Sequence, residues 1–212
     1  ENVSDTAFWV AWHRAQEGRR RDALFHDPLA EKLAGERGRR IARHMGIARA
    51  MAWSMALRTH SLDGFIRDAV QDGVDMIVNL GAGLDTRPYR LDLPAGLMWV
   101  EVDFAPMIAY KNDALADETP VCRLERIACD LSKDAARRDM LTRLNARARH
   151  ILVLTEGVVP YLDNDQVAAL AADLAAQDHV SVWLTDYYSP LFRSLSARGK
   201  IMKRLARNAP FR

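Results

Sequence analysis

Asp75-Met76-Ile77-Val78-Asn79-Leu80-Gly81-Ala82-Gly83-Leu84-Asp85-Thr86-Arg87 is the stretch that decides the fold. The apolar run Met76 to Leu80 ends abruptly in Gly-Ala-Gly. A short apolar run bounded by glycine reads as a buried strand rather than a helix. Glycines after such a strand let the backbone turn tightly and approach a ligand where a Cβ would clash. A second apolar run, Leu97 to Val100, ends in Glu101-Val102-Asp103. A carboxylate about 20 residues beyond a glycine turn is where nucleotide-binding βαβ units hold ribose hydroxyls. The two stretches together predict a site for a nucleoside-containing cofactor.

The residues after the turn separate one cofactor from another. A dinucleotide fingerprint needs a third glycine three positions after the second. That position is Thr86, and Asp85 precedes it. An acid beside the turn repels a pyrophosphate and suits a cofactor with an amino group and no phosphate, such as S-adenosylmethionine. No Gly-Lys-Ser or Gly-Lys-Thr follows, which excludes a P-loop. Gly-x-Gly by itself is also what an ordinary tight strand-to-helix turn uses.

The 212 residues suffice for one domain with a sizeable core. With 49% hydrophobic and 27% charged residues, the composition is that of a soluble globular chain. A net charge of +2 demands neither nucleic acid nor an anionic membrane as partner. No apolar run approaches a membrane span and no signal-peptide core opens the chain, so a cytoplasmic location is expected. Cys122 and Cys129 fall in one strand region at an odd separation, on opposite faces, and read as two reduced thiols. The six histidines form no His-x-x-x-His or Cys/His cluster, so no metal site is expected.

From Asp75 onward the pattern alternates. Strands are predicted at Met76–Leu80, Met98–Asp103, Val121–Ala128, Ile151–Thr155 and Ser181–Tyr187. Helices are predicted near Pro106–Ala116, Asp134–Ala146 and Asp165–Gln177. Such alternation means an α/β fold, a Rossmann-like parallel sheet with helices on both faces. Ahead of it, Thr6 to Arg20 reads as a helix, and its Phe8, Trp9 and Trp12 form a face for packing on the main domain. Asp27-Pro28 caps and opens a second helix running to about Gly35, with a short basic helix from Arg37 to His44. A long helix spans Ala48 to Gln71, with Met51 and Met55 read as core, and Asp72-Gly73 stops it. Residues 1–72 are thus expected to form an N-terminal helical cap on a core of residues 73–212, one domain overall. Ser189 to Arg212 reads as a basic helix whose charges form a solvated face. A nucleic-acid or anionic-substrate surface is the sharper alternative there.

These residues resemble the leucine carboxyl methyltransferase family of S-adenosylmethionine-dependent O-methyltransferases. The resemblance runs through Thr6-Ala7 with Arg14-Ala15 and Glu17, Asp27-Pro28-Leu29-Ala30, Arg58-Thr59 and Asn79 to Arg87. It continues through Glu101-Val102-Asp103, Cys129-Asp130-Leu131 and Thr155-Glu156-Gly157-Val158-Val159-Pro160-Tyr161-Leu162. The resemblance implies that Arg58 holds the methionine carboxylate of the cofactor, with Arg14 a second candidate. It places Gly81 and Gly83 under the methionyl end, with Asp85 beside them, and Asp103 on the ribose. Asp130 and Leu131 are implied to meet the adenine, and Glu156 the ammonium. Without the resemblance, Arg58 reads as a surface helix arginine, and Asp130 as a helix cap. Two features depart from the pattern. Asn79 stands where the class carries an acid. The antiparallel hairpin that closes the class's sheet is not visible before Arg212, so the native chain is expected to extend further.

The function expected is methyl transfer to oxygen, on a small molecule or a terminal carboxylate, with the protein supplying alignment. The alternative is an RNA methyltransferase or nucleic-acid binder using the basic tail, and a third reading is a cofactor-binding domain without catalysis. No RNA-binding motif is present, and neither a nucleic-acid nor a membrane partner is expected. A carboxylate acceptor is favoured because it is already ionised at neutral pH. An alcohol needs a general base, for which only Asp186 and His60 stand near. Arg87 and the tail arginines, placed at the mouth, would favour an anionic acceptor.

Overall fold

The computed structural model describes residues 4–45 and 49–187. Its centre is one five-stranded sheet, all parallel, in the order β3-β2-β1-β4-β5. The strands are β1 (Met76–Leu80), β2 (Met98–Asp103), β3 (Arg123–Ala128), β4 (Ile151–Thr155) and β5 (Val180–Thr185). Three have the predicted bounds. Residues 121 and 122, expected in β3, lie outside its ladder: Val121 N–H is drawn to the Pro88 carbonyl instead. β5 closes at Thr185, two residues before the expected end, because Asp186 turns to other partners.

Alternation sorts the side chains of each strand to the two faces. Met76, Val78, Leu80, Val100, Val102, Ile151 and Val153 face one core. It is closed by Met140, Leu141 and Leu144 of α6 (Asp134–Asn145) and by Leu170 and Leu174 of α7 (Asn164–Ala175). Ile77, Trp99, Leu152 and Leu154 face the other core, closed by Leu62 and Ile66 of α3 (Arg49–Gln71). β1 and β4 are buried along their whole length, as central strands covered on both faces must be. Each large apolar side chain so enclosed contributes about 1.5–3 kcal/mol. The thiols separate as predicted: Cys122 lies with the α3-side core and Cys129 packs against the α6–α7 side, both unpaired.

The leading helices form a third cluster. Phe8 and Ala11 of α1 (Ser4–Glu17) meet Leu33 and Ala34 of α2 (Pro28–Met45), Leu84, and Met107 of α5 (Ala105–Ala114). Gly35 breaks α2 with φ 52° and ψ −159°, which is why the sequence reads as two helices there. α3 ends in a glycine cap: Gly73 N–H bonds the Val70 carbonyl and Val74 N–H the Ala69 carbonyl. The Met55 side chain is half-buried; that of Met51 and the basic tail from Ser189 lie outside the described residues. No helix among the described residues is long and apolar enough to cross a membrane.

Candidate functional site

The strand order reverses direction between β1 and β4, and open parallel sheets take ligands in the crevice at such a switch point. The segments leaving β1 and β4 at their carboxyl ends are Gly81-Ala82-Gly83 and Glu156-Gly157. Gly81 and Ala82 N–H both bond the Val102 carbonyl, at 2.8 and 3.1 Å, which hooks the glycine turn to β2. Gly81 has φ 68°, and a Cβ on it would stand 2.5 Å from Val158 Cγ2. Gly83 has φ 47°, and a Cβ there would lie 3.3 Å from Ala7 of α1. α1 therefore roofs the turn, and the valine after β4 closes its flank. Gly83 N–H donates to Asp103 Oδ2 at 2.7 Å, so the turn and the acid ending β2 form one unit. Phe104 N–H occupies Asp103 Oδ1. Burial raises the Asp103 carboxyl above its ordinary value, against the pull of those two N–H groups.

Glu101 and Asp103 behave oppositely although only two residues apart. Glu101 is fully enclosed and accepts from Lys111 and Arg126, each at 2.8 Å. It is a core ion pair, and Asp103 is the acid left at the strand end.

A continuous ion network surrounds the crevice. Arg14, Arg58, Arg87 and Arg90 alternate with Asp27, Asp63, Asp85, Glu156 and Asp186. Arg87, on the short helix α4 (Arg87–Arg90), is its hub: it bonds Asp63, Asp85 and Glu156, each at 2.7 Å. Burial opposes its charge, but the three carboxylates push its pKa well above the ordinary value. Arg87 is 1% exposed, which corrects the expectation that it stands at the mouth as an attractor for anions. Its Nη2 has no hydrogen-bond partner among the described residues. Arg90 Nη1 and Nη2 grip Asp63 at 2.6 and 2.9 Å.

Asp85 also departs from its expected part. Its Oδ2 accepts from Asn79 and Arg87, and its Oδ1 accepts from Arg87 N–H. Burial favours protonation, yet Arg87, Lys111, Arg14 and Arg90 hold it well below the usual carboxylate range. Its charge is thus spent inside the protein. The same contact explains Asn79: an acid there would face Asp85, whereas the amide donates to it at 2.8 Å.

Glu156 joins Arg58 (2.9 Å) to Arg87 (2.7 Å). Burial pushes its carboxyl up, but the two guanidiniums prevail and bring it down to about 2. Arg58 reaches it from α3 and bonds Asp186 at 2.9 Å. Arg14 donates from α1 to Asp27 at 2.8 Å and to the Leu84 carbonyl in the glycine-turn segment. Asp27 Oδ1 caps α2 at Ala30 N–H, and its Oδ2 also takes Thr86 Oγ1–H at 2.7 Å. Asp130, after β3, accepts from Ser132 N–H and Oγ–H through Oδ1. The Leu131 side chain lies in the α6–α7 core, and its carbonyl accepts from Arg137 Nη1 at 2.7 Å. His60, considered as a base, is exposed and engages the Leu24 carbonyl at 3.1 Å. Among the described residues no cluster of His, Cys, Asp or Glu could hold a metal ion.

The strand-end acids and Arg58, singled out in the sequence, lie around the crevice. Asp27, Asp63, Thr86 and Arg90 are not marked there as site residues. Their pairings cross 13 to 63 positions and carry no local signal, although Asp27 was legible as a cap.

An open parallel sheet with a glycine turn and a strand-end acid at its switch point defines a nucleoside-cofactor fold. Comparison with known proteins narrows the class. The sequence profile of leucine carboxyl methyltransferase matches residues 7–175, and the chain belongs to that family. A protein of Frankia alni named "Putative S-adenosyl-L-methionine-dependent methyltransferase" is 38% identical over 178 residues, 79% of this chain and 62% of that one. One of Streptomyces coelicolor with the same description is 36% identical over 188 residues, 81% of this chain and 64% of its own length. The chain thus spans under two thirds of the length of these relatives. The crystal structure of a DUF574 family protein from Streptomyces avermitilis shares the fold, with a TM-score of 0.60 at 17% identity, covering 95% of this chain and 77% of that one.

Proposed function

We propose that this protein is an S-adenosylmethionine-dependent O-methyltransferase whose acceptor is a carboxylate, or another acidic oxygen, of a small molecule or chain terminus. The unit made by Gly83 N–H and Asp103 carries the reading. It sets a bare backbone turn beside a carboxylate whose oxygens each keep a second lone pair for ribose hydroxyls. The two glycines keep the turn itself in place, since a Cβ on Gly81 or Gly83 would push into Val158 or Ala7, and the backbone beside Asp103 stays bare. In this assignment Arg58 and Arg14 answer the carboxylate, and Glu156 the ammonium, of the methionyl part. Asp130 Oδ2 meets the adenine amino group, with Leu131 next to it in the chain. Gly81, Gly83 and the buried Asp85 hold the turn in shape.

When bound, the cofactor supplies a methyl group already activated on a sulfonium. The chain's residues orient it, with α1 packed against the turn at Gly83. The acids beside the crevice support an acceptor that arrives ionised. Asp103 is held by two backbone N–H groups, Glu156 by two arginines, and Asp186 by Arg58 and Gly157 N–H. A carboxylate needs no proton removed. The experiment is turnover of a panel of carboxylic acids, phenols and alcohols, followed by alkaline hydrolysis of the product. A base-labile methyl ester is expected. A base-stable ether formed from an alcohol would refute the acceptor class.

A further inference from the structure

Asp186 lies just past β5, at the same edge of the sheet as the glycine turn, and its two oxygens do different things. Oδ2 accepts from Arg58 Nη1 at 2.9 Å, and Oδ1 accepts from Gly157 N–H at 2.8 Å. One carboxylate thereby ties α3, the segment after β4 and the end of β5 together. Arg58 is held at a second nitrogen, its Nε donating to Glu156 at 2.9 Å. Contacts at two different nitrogens fix both the position and the plane of a guanidinium. The Asp186 side chain is 7% exposed, so water competes little for it. Gly157 itself has φ 69°, a conformation that aims its N–H at Asp186 and that a side chain would strain.

We propose that Asp186 is the positioning residue that sets the plane of Arg58 for the carboxylate of the cofactor. It acts through Arg58 and does not touch the ligand, and the assignment rests on the cofactor reading above. Only ligands with the amino-acid end feel a misplaced Arg58. A residue that merely stabilised the fold would affect every ligand alike.

The test compares two nucleosides on the whole chain by calorimetry. S-adenosylhomocysteine carries the carboxylate; 5′-methylthioadenosine has the same nucleoside thioether without it. Asp186→Asn keeps an oxygen for Gly157 N–H but turns an amide donor toward Arg58. It is expected to weaken S-adenosylhomocysteine by roughly tenfold, the scale of one charge-assisted hydrogen bond, and to leave 5′-methylthioadenosine unchanged. Asp186→Glu, which keeps the charge and shifts it by a methylene, gives a second measurement, with a smaller loss confined to the same ligand. Equal weakening of both nucleosides, or full affinity for S-adenosylhomocysteine in both variants, overturns the assignment. Failure of the wild-type protein to bind either nucleoside would overturn the cofactor reading itself, and this assignment with it.

Discussion

Glu156 shows how far one side chain can be taken from its solution behaviour. Its carboxyl is brought from an ordinary 4.5 to about 2 by Arg87 and Arg58, in spite of burial. A carboxyl lowered in the folded state stabilises the protein above its unfolded pKa, and that contribution is lost as pH falls toward the folded value. The window is therefore pH 4.5 down to about 2, and the amount is about 3 kcal/mol. Glu156→Gln should be less stable than wild type at pH 7, and the gap should close on acidification across that window. Urea unfolding at pH 7, 4 and 3 measures it; a gap independent of pH would contradict the account. Gly81 is the steric counterpart. Gly81→Ala combines a left-handed backbone with a Cβ 2.5 Å from Val158 Cγ2, and should destabilise by about 2–4 kcal/mol. Adding Val158→Ala should restore the steric part relative to Val158→Ala alone. A double-mutant cycle in thermal or urea melts with zero coupling would show that the contact does not matter. The sequence announced Gly81 through its place after an apolar run. It could not announce Val158, which meets it from 77 residues away.

The elements legible in the sequence are those written by local rules. The glycine cap of α3, the Asp27-Pro28 start of α2 and the break at Gly35 all stand where residue chemistry places them. Two short elements were not predicted: α4, four residues opened by Arg87-Pro88, and the 3-10 turn Val159–Tyr161. Neither is long enough to show a period. Two glycines with open space around them test the distinction between a glycine required and a glycine tolerated. Gly35 has φ 52°, so Gly35→Ala should cost about 1–3 kcal/mol although nothing lies within 4 Å. Gly64 lies inside α3, with an equally open Cβ position and no left-handed φ, so Gly64→Ala should stabilise by about 0.5–1 kcal/mol. Differential scanning calorimetry of the two variants should shift the melting temperature in opposite directions. A shift of the same sign in both would contradict the backbone argument.

Across the whole molecule, the sheet brings to one edge residues that the sequence scatters from Arg14 to Asp186. Parallel strands all end on the same side, so Gly81, Asp103, Asp130, Glu156 and Asp186 gather there whatever their separation. That gathering was legible once strands alternated with helices. The charge pairing within it was not, because each arginine had several possible acids and only packing chooses among them. Arg87, expected at the mouth of the site, is the buried hub, and Asp85, expected beside the cofactor, is bonded to it. The central claim is that the glycine turn and Asp103 hold a methionyl nucleoside. Isothermal calorimetry with S-adenosylmethionine, S-adenosylhomocysteine, NAD and ATP tests it most directly, on wild type and on Asp103→Ala. The account predicts binding of the first two in clear preference to NAD and ATP, weakened by about 1–3 kcal/mol in a folded Asp103→Ala protein. NAD bound as well as S-adenosylmethionine, or an affinity indifferent to the loss of Asp103, would contradict it.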